Sequence, residues 1–364
     1  MLLSRFQFGR WPLAVLPWVF AATSASAAAS PANEPFFPLQ WNMRAIQLPV
    51  ESDIDGRGVV VAVLDSGRRD HPELDGQWLP GWDFVSQFDA GDVDGWDPDP
   101  TDVPQSAGRA IDRTPWHGLQ VAGLIAARVD GRGLRGVAPG VRLLPVRVAA
   151  GERSHNADIV SALLWAVGGE VPGVPRNATP ARVVNLSLGR EGPCPAAVQA
   201  AVDFARSQGA VVVAAAGDEQ VRATSHSPSN CQGVVAVGSA SRQRRLTRNG
   251  NFGDGLTLIA PGGTSARAGY SDLLTTSNSG LRDGGPPAYE NVVGSSFAAA
   301  HVTGVVALML QLRPSATPAQ IEAALRAGAT PLPDCRACGA GFLNAGAALD
   351  RVRELADTGP IAAP

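Results

Sequence analysis

The chain has 364 residues, of which 45% are hydrophobic and 17% charged, with a formal net charge of −3. Such an apolar fraction excludes a disordered or low-complexity chain, and a near-neutral balance leaves no electrostatic footprint for nucleic acid. All 30 basic residues are arginine, which excludes a Schiff-base lysine and a lysine-dependent phosphate loop.

The chain opens on an address label. Arg5 and Arg10 form a basic region, Trp11 to Ala22 an apolar one, and small residues follow in Ala25-Ser26-Ala27 and Ala27-Ala28-Ala29. This pattern reads as a secretory signal peptide over residues 1–29. A membrane anchor needs about 20 apolar residues, and Pro12 and Pro17 interrupt this run. The mature protein is therefore expected to be exported, periplasmic or secreted, with no stable membrane insertion. Residues 30–56 are Pro-rich and irregular, an N-terminal extension of one large domain over 57–356, with a tail at 357–364.

From Gly58 onward, short β-branched runs alternate with helical patterns. Strands are expected at Val59–Leu64, Val141–Val148, Arg182–Leu188, Ala210–Ala216, Val234–Val237 and Leu256–Ile259. Most are apolar on both faces, as strands of a parallel sheet covered on both sides must be. Helices are expected at His117–Val129, Asn156–Gly168, Pro195–Gln208, Ser296–Leu312 and Pro318–Ala327, the last opened by Thr317 as cap and Pro318 as first residue. The alternation predicts an α/β fold, a doubly wound and mainly parallel sheet with helices on both faces. In such sheets reactive groups gather beyond the carboxyl ends of the strands.

Four cysteines in an exported chain point to disulfides rather than to a metal or redox site. Cys335 and Cys338 stand close enough for a tight local bridge, leaving Cys194 with Cys231, although four cysteines permit three connectivities.

Three residues at strand ends and helix starts carry chemistry. Asp65 ends VVVAVLDSG, His117 opens WHGLQVAGLIAA, and Ser296 lies in NVVGSSFAAAHVTGVVALML. Each has a plain alternative, as a turn former, a structural imidazole and a helix N-cap. Together, in this order and with these surroundings, they resemble the subtilisin-like serine proteases. The similarity rests on VAVLDSG, HGLQVAG and GSSFAAAHVTG, and continues through VAPGVRLLPVRV, VVNLSLG, VVVAAAGDE and NFG…LTLIAPG, in collinear order from about Gln40. A lipase elbow is excluded, because Gly294-Ser295-Ser296-Phe297-Ala298 is not G-x-S-x-G and the acid precedes the histidine.

The resemblance implies an exported serine endopeptidase that works by acyl transfer without a catalytic cofactor. Ser296 would be the nucleophile, His117 the base and Asp65 its orienting carboxylate. It also implies that Ser187, Leu188 and Gly189 form one wall for an extended polypeptide substrate and Ala215, Ala216 and Gly217 the other. A monomer is expected.

The pattern is broken at the oxyanion position. The family usually has Asn after Ala-Ala-Gly; here Gly217 is followed by Asp218, which when ionised has no donor. Asp218 with the Ser296 backbone N–H would then form the oxyanion site, giving weakened or acid-shifted activity, and an inactive peptide-binding pseudoprotease is the alternative. Milder departures are Leu119 and Gln120 for Thr-His, Ser295 for Thr, and Ala300 for Pro before His301. Gln40-Trp41-Asn42 resembles the start of a mature chain, so folding without a prosegment is expected. Finally, Asp89, Asp92, Asp94, Asp97 and Asp99 alternate with Gly, Trp and Pro, a spacing that suits a structural calcium though not an EF-hand.

Overall fold

The computed structural model describes residues 34–50, 53–86, 95–103, 116–150, 153–264, 272–280 and 284–355. The expected signal peptide and tail lie outside them. In chain order the strands are β1 (Val60–Asp65), β2 (Trp82–Asp83), β3 (Arg142–Arg147), β4 (Ala149–Ala150), β5 (Arg153–Ser154), β6 (Val183–Leu186), β7 (Arg190–Glu191), β8 (Val211–Ala215), β9 (His226–Ser227), β10 (Val235–Ala240), β11 (Leu258–Pro261), β12 (Leu273–Asn278) and β13 (Pro287–Val292). The helices are α1 (Trp41–Ala45), α2 (His117–Ala126), α3 (Asn156–Ala166), α4 (Ala196–Ser207), α5 (Ser295–Leu312), α6 (Pro318–Gly328) and α7 (Ala345–Arg353).

A seven-stranded sheet in the order β11-β10-β8-β6-β1-β3-β2 organises the described residues, and every pairing in it is parallel. The period of two along each strand sorts side chains into two cores. Val61, Val63, Val183, Val211 and Val213 join α2, α5, α6 and α7 on one face. Ala62, Leu64, Val184, Val212 and Ala214 join α3 and α4 on the other. Each expected strand and helix is found, with ends shifted by at most three residues. The two-stranded ribbons β4–β5, β7–β9 and β12–β13, together with α1 and α7, are additions.

Two features aim this scaffold at one place. The chain leaves β1 for β2 and β3 on one side and then crosses to β6 on the other, so β1 lies at the point where the winding reverses. Meanwhile α5 runs through one core, with Ser295 and Phe297 to Leu310 all buried; only Ser296 in that stretch reaches the surface. The helix is long and apolar enough to cross a membrane, yet 83% of it is buried inside the protein.

The Thr317 cap is a full capping box, reciprocated by Gln320. Both proposed disulfides are formed, Cys194–Cys231 and Cys335–Cys338. The N-terminal segment is tied into the core. Trp41, Met43, Ile46 and Leu48 are buried in it, and Asn42 meets His301 of α5 at 2.7 Å.

Candidate active site

Asp65 is the last residue of β1 and 2% exposed. Its Oδ1 accepts the Ser66 N–H at 2.8 Å and faces His117 Nδ1 at 2.7 Å. A carboxylate oxygen only accepts, so Nδ1 carries the hydrogen and Nε2 is left as the basic nitrogen. Neighbours fix His117 in that pose. Trp116, in the left-handed region at φ 68°, turns the chain into α2, and its indole donates to the Gly280 carbonyl at 2.7 Å. Gly118 lies so close to Gly67 that a Cβ would come within 2.3 Å of the Gly67 carbonyl oxygen, so only glycine lets α2 seat beside the end of β1. The Gly118 N–H donates to Ser66 Oγ at 2.9 Å, and that hydroxyl donates to Asp102 at 2.7 Å. Ser66 and Asp102 were not found in the sequence, which separates them from His117 and gives the link no local pattern.

Ser296 sits in the first turn of α5 and lines the same cleft, of about 260 Å³, as Asp65, His117, Ser187, Asp218 and Gly294. Its Oγ donates to the Ser187 carbonyl at 3.0 Å, and Ser187 Oγ donates to the Ser296 carbonyl at 2.8 Å. A hydrogen-bonded chain from Thr303 through Asn185 to Ser187 locks this junction to the end of β6. The Ser296 N–H has no hydrogen-bond partner among the described residues. It is an unused donor at a helix N-terminus, the place where a developing oxyanion is best held.

Asp218 follows β8 and is turned onto the start of α5. Its Oδ2 accepts the Ser295 N–H at 2.7 Å and the Ser295 hydroxyl at 2.8 Å, while that hydroxyl accepts the Gly217 N–H at 3.2 Å. Loss of water between the cleft walls pushes the Asp218 carboxyl above its ordinary value, and the two Ser295 hydrogen bonds oppose the rise. Because Oδ2 accepts twice, a proton on Asp218 belongs on Oδ1.

The two expected substrate walls differ. Ser187, Leu188 and Gly189 line the cleft, joined by Ala149 and Ser154 of the β4–β5 ribbon, which sequence reading passed over. Ala215, Ala216 and Gly217, expected as the second wall, stand at the end of β8. They are buried, and their backbone groups are used inside the fold. Asn251 Nδ2 donates to the Ala216 carbonyl at 2.7 Å, and the Asn251 N–H donates to the Gly217 carbonyl at 3.0 Å.

Two of the five expected calcium ligands fall among the described residues. Asp97 Oδ1 caps the Asp99 N–H, and Asp99 Oδ1 accepts the Thr101 N–H and hydroxyl, so these two carboxylates shape turns. Asp89, Asp92 and Asp94 lie outside the described residues. Among the described residues no group of three potential ligands stands together.

The described residues thus place a carboxylate in contact with an imidazole, with a hydroxyl in the same cleft, at the rim of a parallel sheet. The chain belongs to the subtilase family, whose model matches residues 56–343. It is 36% identical over 344 residues to an extracellular protease of Xanthomonas campestris pv. campestris, covering 91% of this chain and 55% of that protein. It is 35% identical over 304 residues to an extracellular basic protease of Dichelobacter nodosus, covering 76% and 48%. The chain thus spans about half the length of these two curated relatives. Among solved structures, proteases from Pseudoalteromonas arctica superpose with a TM-score of 0.84 at 38% identity, covering 89% of this chain and 99% of theirs.

Proposed function

We propose that this chain is an exported serine endopeptidase that cleaves extended polypeptides through an acyl-enzyme. The observation that carries the reading is the 2.7 Å contact of His117 Nδ1 with Asp65 in the cleft that also holds Ser296. Rotation about one side-chain bond frees Ser296 Oγ from the Ser187 carbonyl for attack on the scissile carbonyl. His117 Nε2 takes its proton and returns it to the leaving amine; Asp65 stabilises the imidazolium. A water then repeats the sequence on the acyl-enzyme and releases the acid. No step needs a cofactor. The two disulfides suit an oxidising compartment.

The oxyanion is held by the Ser296 N–H and, when protonated on Oδ1, by Asp218. Ionised Asp218 offers no donor and opposes the oxyanion. Activity is therefore weakened, and it falls as the pH rises through the Asp218 pKa. A second reading, an inactive peptide-binding module, is favoured by the resting bond of Ser296 Oγ to Ser187 and by the acid at position 218. A serine-directed fluorophosphonate separates the two. Labelling at Ser296 that disappears in Ser296→Ala supports the enzyme, while an unlabelled but peptide-binding wild type supports the module.

A further inference from the structure

A second cavity, of about 470 Å³, adjoins the catalytic cleft and shares Asp218, Val293 and Gly294 with it. Ser187, Leu188 and Gly189 line the catalytic cleft but not this cavity. If the acyl part of a substrate lies along Ser187–Gly189, as the proposed function has it, the segment leaving Ser296 in the other direction enters this cavity. Its chemistry is one-sided. The loop 241–250 that forms one wall carries Arg242, Arg244, Arg245 and Arg248 and no acidic residue. Arg244 is turned inward, over the Phe342 ring and onto the Ala45 carbonyl. Arg248 lines the cavity, is exposed, and makes no ion pair or hydrogen bond among the described residues. Two further lining residues, Ser239 and Thr247, hold buried hydroxyls without a partner, hydrogen-bonding capacity that the fold itself does not use.

We propose that this cavity binds a carboxylate on the leaving-group side of the cleaved bond, with Arg248 as its specificity-determining residue. A guanidinium offers a planar fork that matches a carboxylate, and the arginine-rich loop attracts acidic segments before contact. Asp218, an acid that also lines the cavity, has its Oδ2 already engaged by Ser295. The carboxylate comes either from an Asp or Glu side chain or from the terminus of a substrate cut close to its end.

The proposal rests on the protease reading, so its test keeps the two apart. Internally quenched peptides carry Glu, Gln or Lys at each of the first three positions after the cleaved bond. A p-nitroanilide without those residues reports the chemistry alone. Wild type is expected to prefer Glu over Gln at one position by about five-fold in kcat/KM, the scale of an exposed charge-assisted bond. Arg248→Glu, with each rate normalised to that variant's own p-nitroanilide rate, is expected to prefer Lys. Equal wild-type rates at all three positions together with equal rates for a free-acid and an amide terminus, or a Glu preference that survives Arg248→Glu, overturn the proposal. A Gln peptide ending two residues after the bond, as free acid and as amide, identifies a terminal carboxylate as the source. If neither peptides nor p-nitroanilide are cleaved, the protease reading fails. Anisotropy of labelled Glu and Gln peptides on the Ser296→Ala variant then decides: tighter Glu binding supports the carboxylate site, and equal binding overturns it.

Discussion

Two carboxylates line the same cleft, one at and one just beyond the carboxyl end of a parallel strand, and they are used differently. Asp65 meets a titratable partner, His117, so its negative charge has a counterpart whenever the imidazole gains a proton. Asp218 is hydrogen-bonded by donors that never become cations, the backbone and hydroxyl of Ser295. Both are hydrogen-bonded, but only at Asp65 does charge improve the chemistry the cleft would perform. The placement of a carboxylate therefore says less about its role than the proton inventory of the group facing it.

That comparison is broken most severely at Asp65. Asp65→Asn keeps shape and burial but presents an amide to His117 Nδ1, which favours the wrong tautomer; kcat is expected to fall by ~10⁴. Steady-state cleavage of a quenched peptide measures it. A fall below tenfold would mean that His117 is held without Asp65. At Asp218 the same chemical change has the opposite sign. Asp218→Asn supplies a permanent donor, so turnover is expected to rise by ~10²–10³ at alkaline pH. The gain shrinks toward acid, where wild-type Asp218 is protonated, and the alkaline limb assigned to Asp218 disappears. An unchanged rate and pH profile would remove Asp218 from the oxyanion site.

The helix the two regions share sets an acid limit. His301 is fully buried on α5, with Phe297 and Asn42 at its two nitrogens, and burial lowers its pKa from 6.5 to about 4. The folded state thus holds it neutral while the unfolded chain takes up a proton. This contribution to stability is complete above pH 6.5 and is lost as the pH falls toward 4, by on the order of 3 kcal/mol. Urea melts between pH 7 and 4 read the slope, and a His301→Gln variant should lack it. The chemistry at Asp218 and the stability of α5 therefore pull in opposite directions in acid.

The sheet was readable because burial on both faces leaves continuous runs such as VVVAVL and VVVAAA. The β12–β13 ribbon was not. Its second strand, PAYENV, is largely exposed and carries no such run. Helix α7, in AGAALDRVR, is short and opens on Ala-Gly, so its pattern is weak. At the site, Asp65, His117, Ser296 and the anomaly at Asp218 were all legible as residues. The links among them were not. The Ser66–Asp102 bond spans 36 positions and the Asp218–Ser295 bond 77, separations at which spacing carries no information. The arginine-rich loop was passed over because a near-neutral total hides local charge.

Ser295→Ala is the finest way to sharpen the comparison, because it changes the surroundings of Asp218 without touching the carboxyl. The Ser295 hydroxyl accepts from Gly217 and donates to Asp218. Its removal leaves the buried Gly217 N–H unpaired and should cost about 1–2 kcal/mol, a fall of a few degrees in Tm. It also deletes a bond to the carboxylate that holds the Asp218 pKa down, whereas the backbone bond to Oδ2 remains. The Asp218 pKa should rise further, and the alkaline limb of kcat/KM should move to higher pH by a fraction of a unit. Ser295→Thr keeps the hydroxyl and should restore both stability and the position of the limb. If Ser295→Ala lowers Tm but leaves the limb in place, Asp218 only staples the start of α5. A limb that moves with the hydroxyl and returns with threonine shows that the proton on Asp218 is the one the reaction reads.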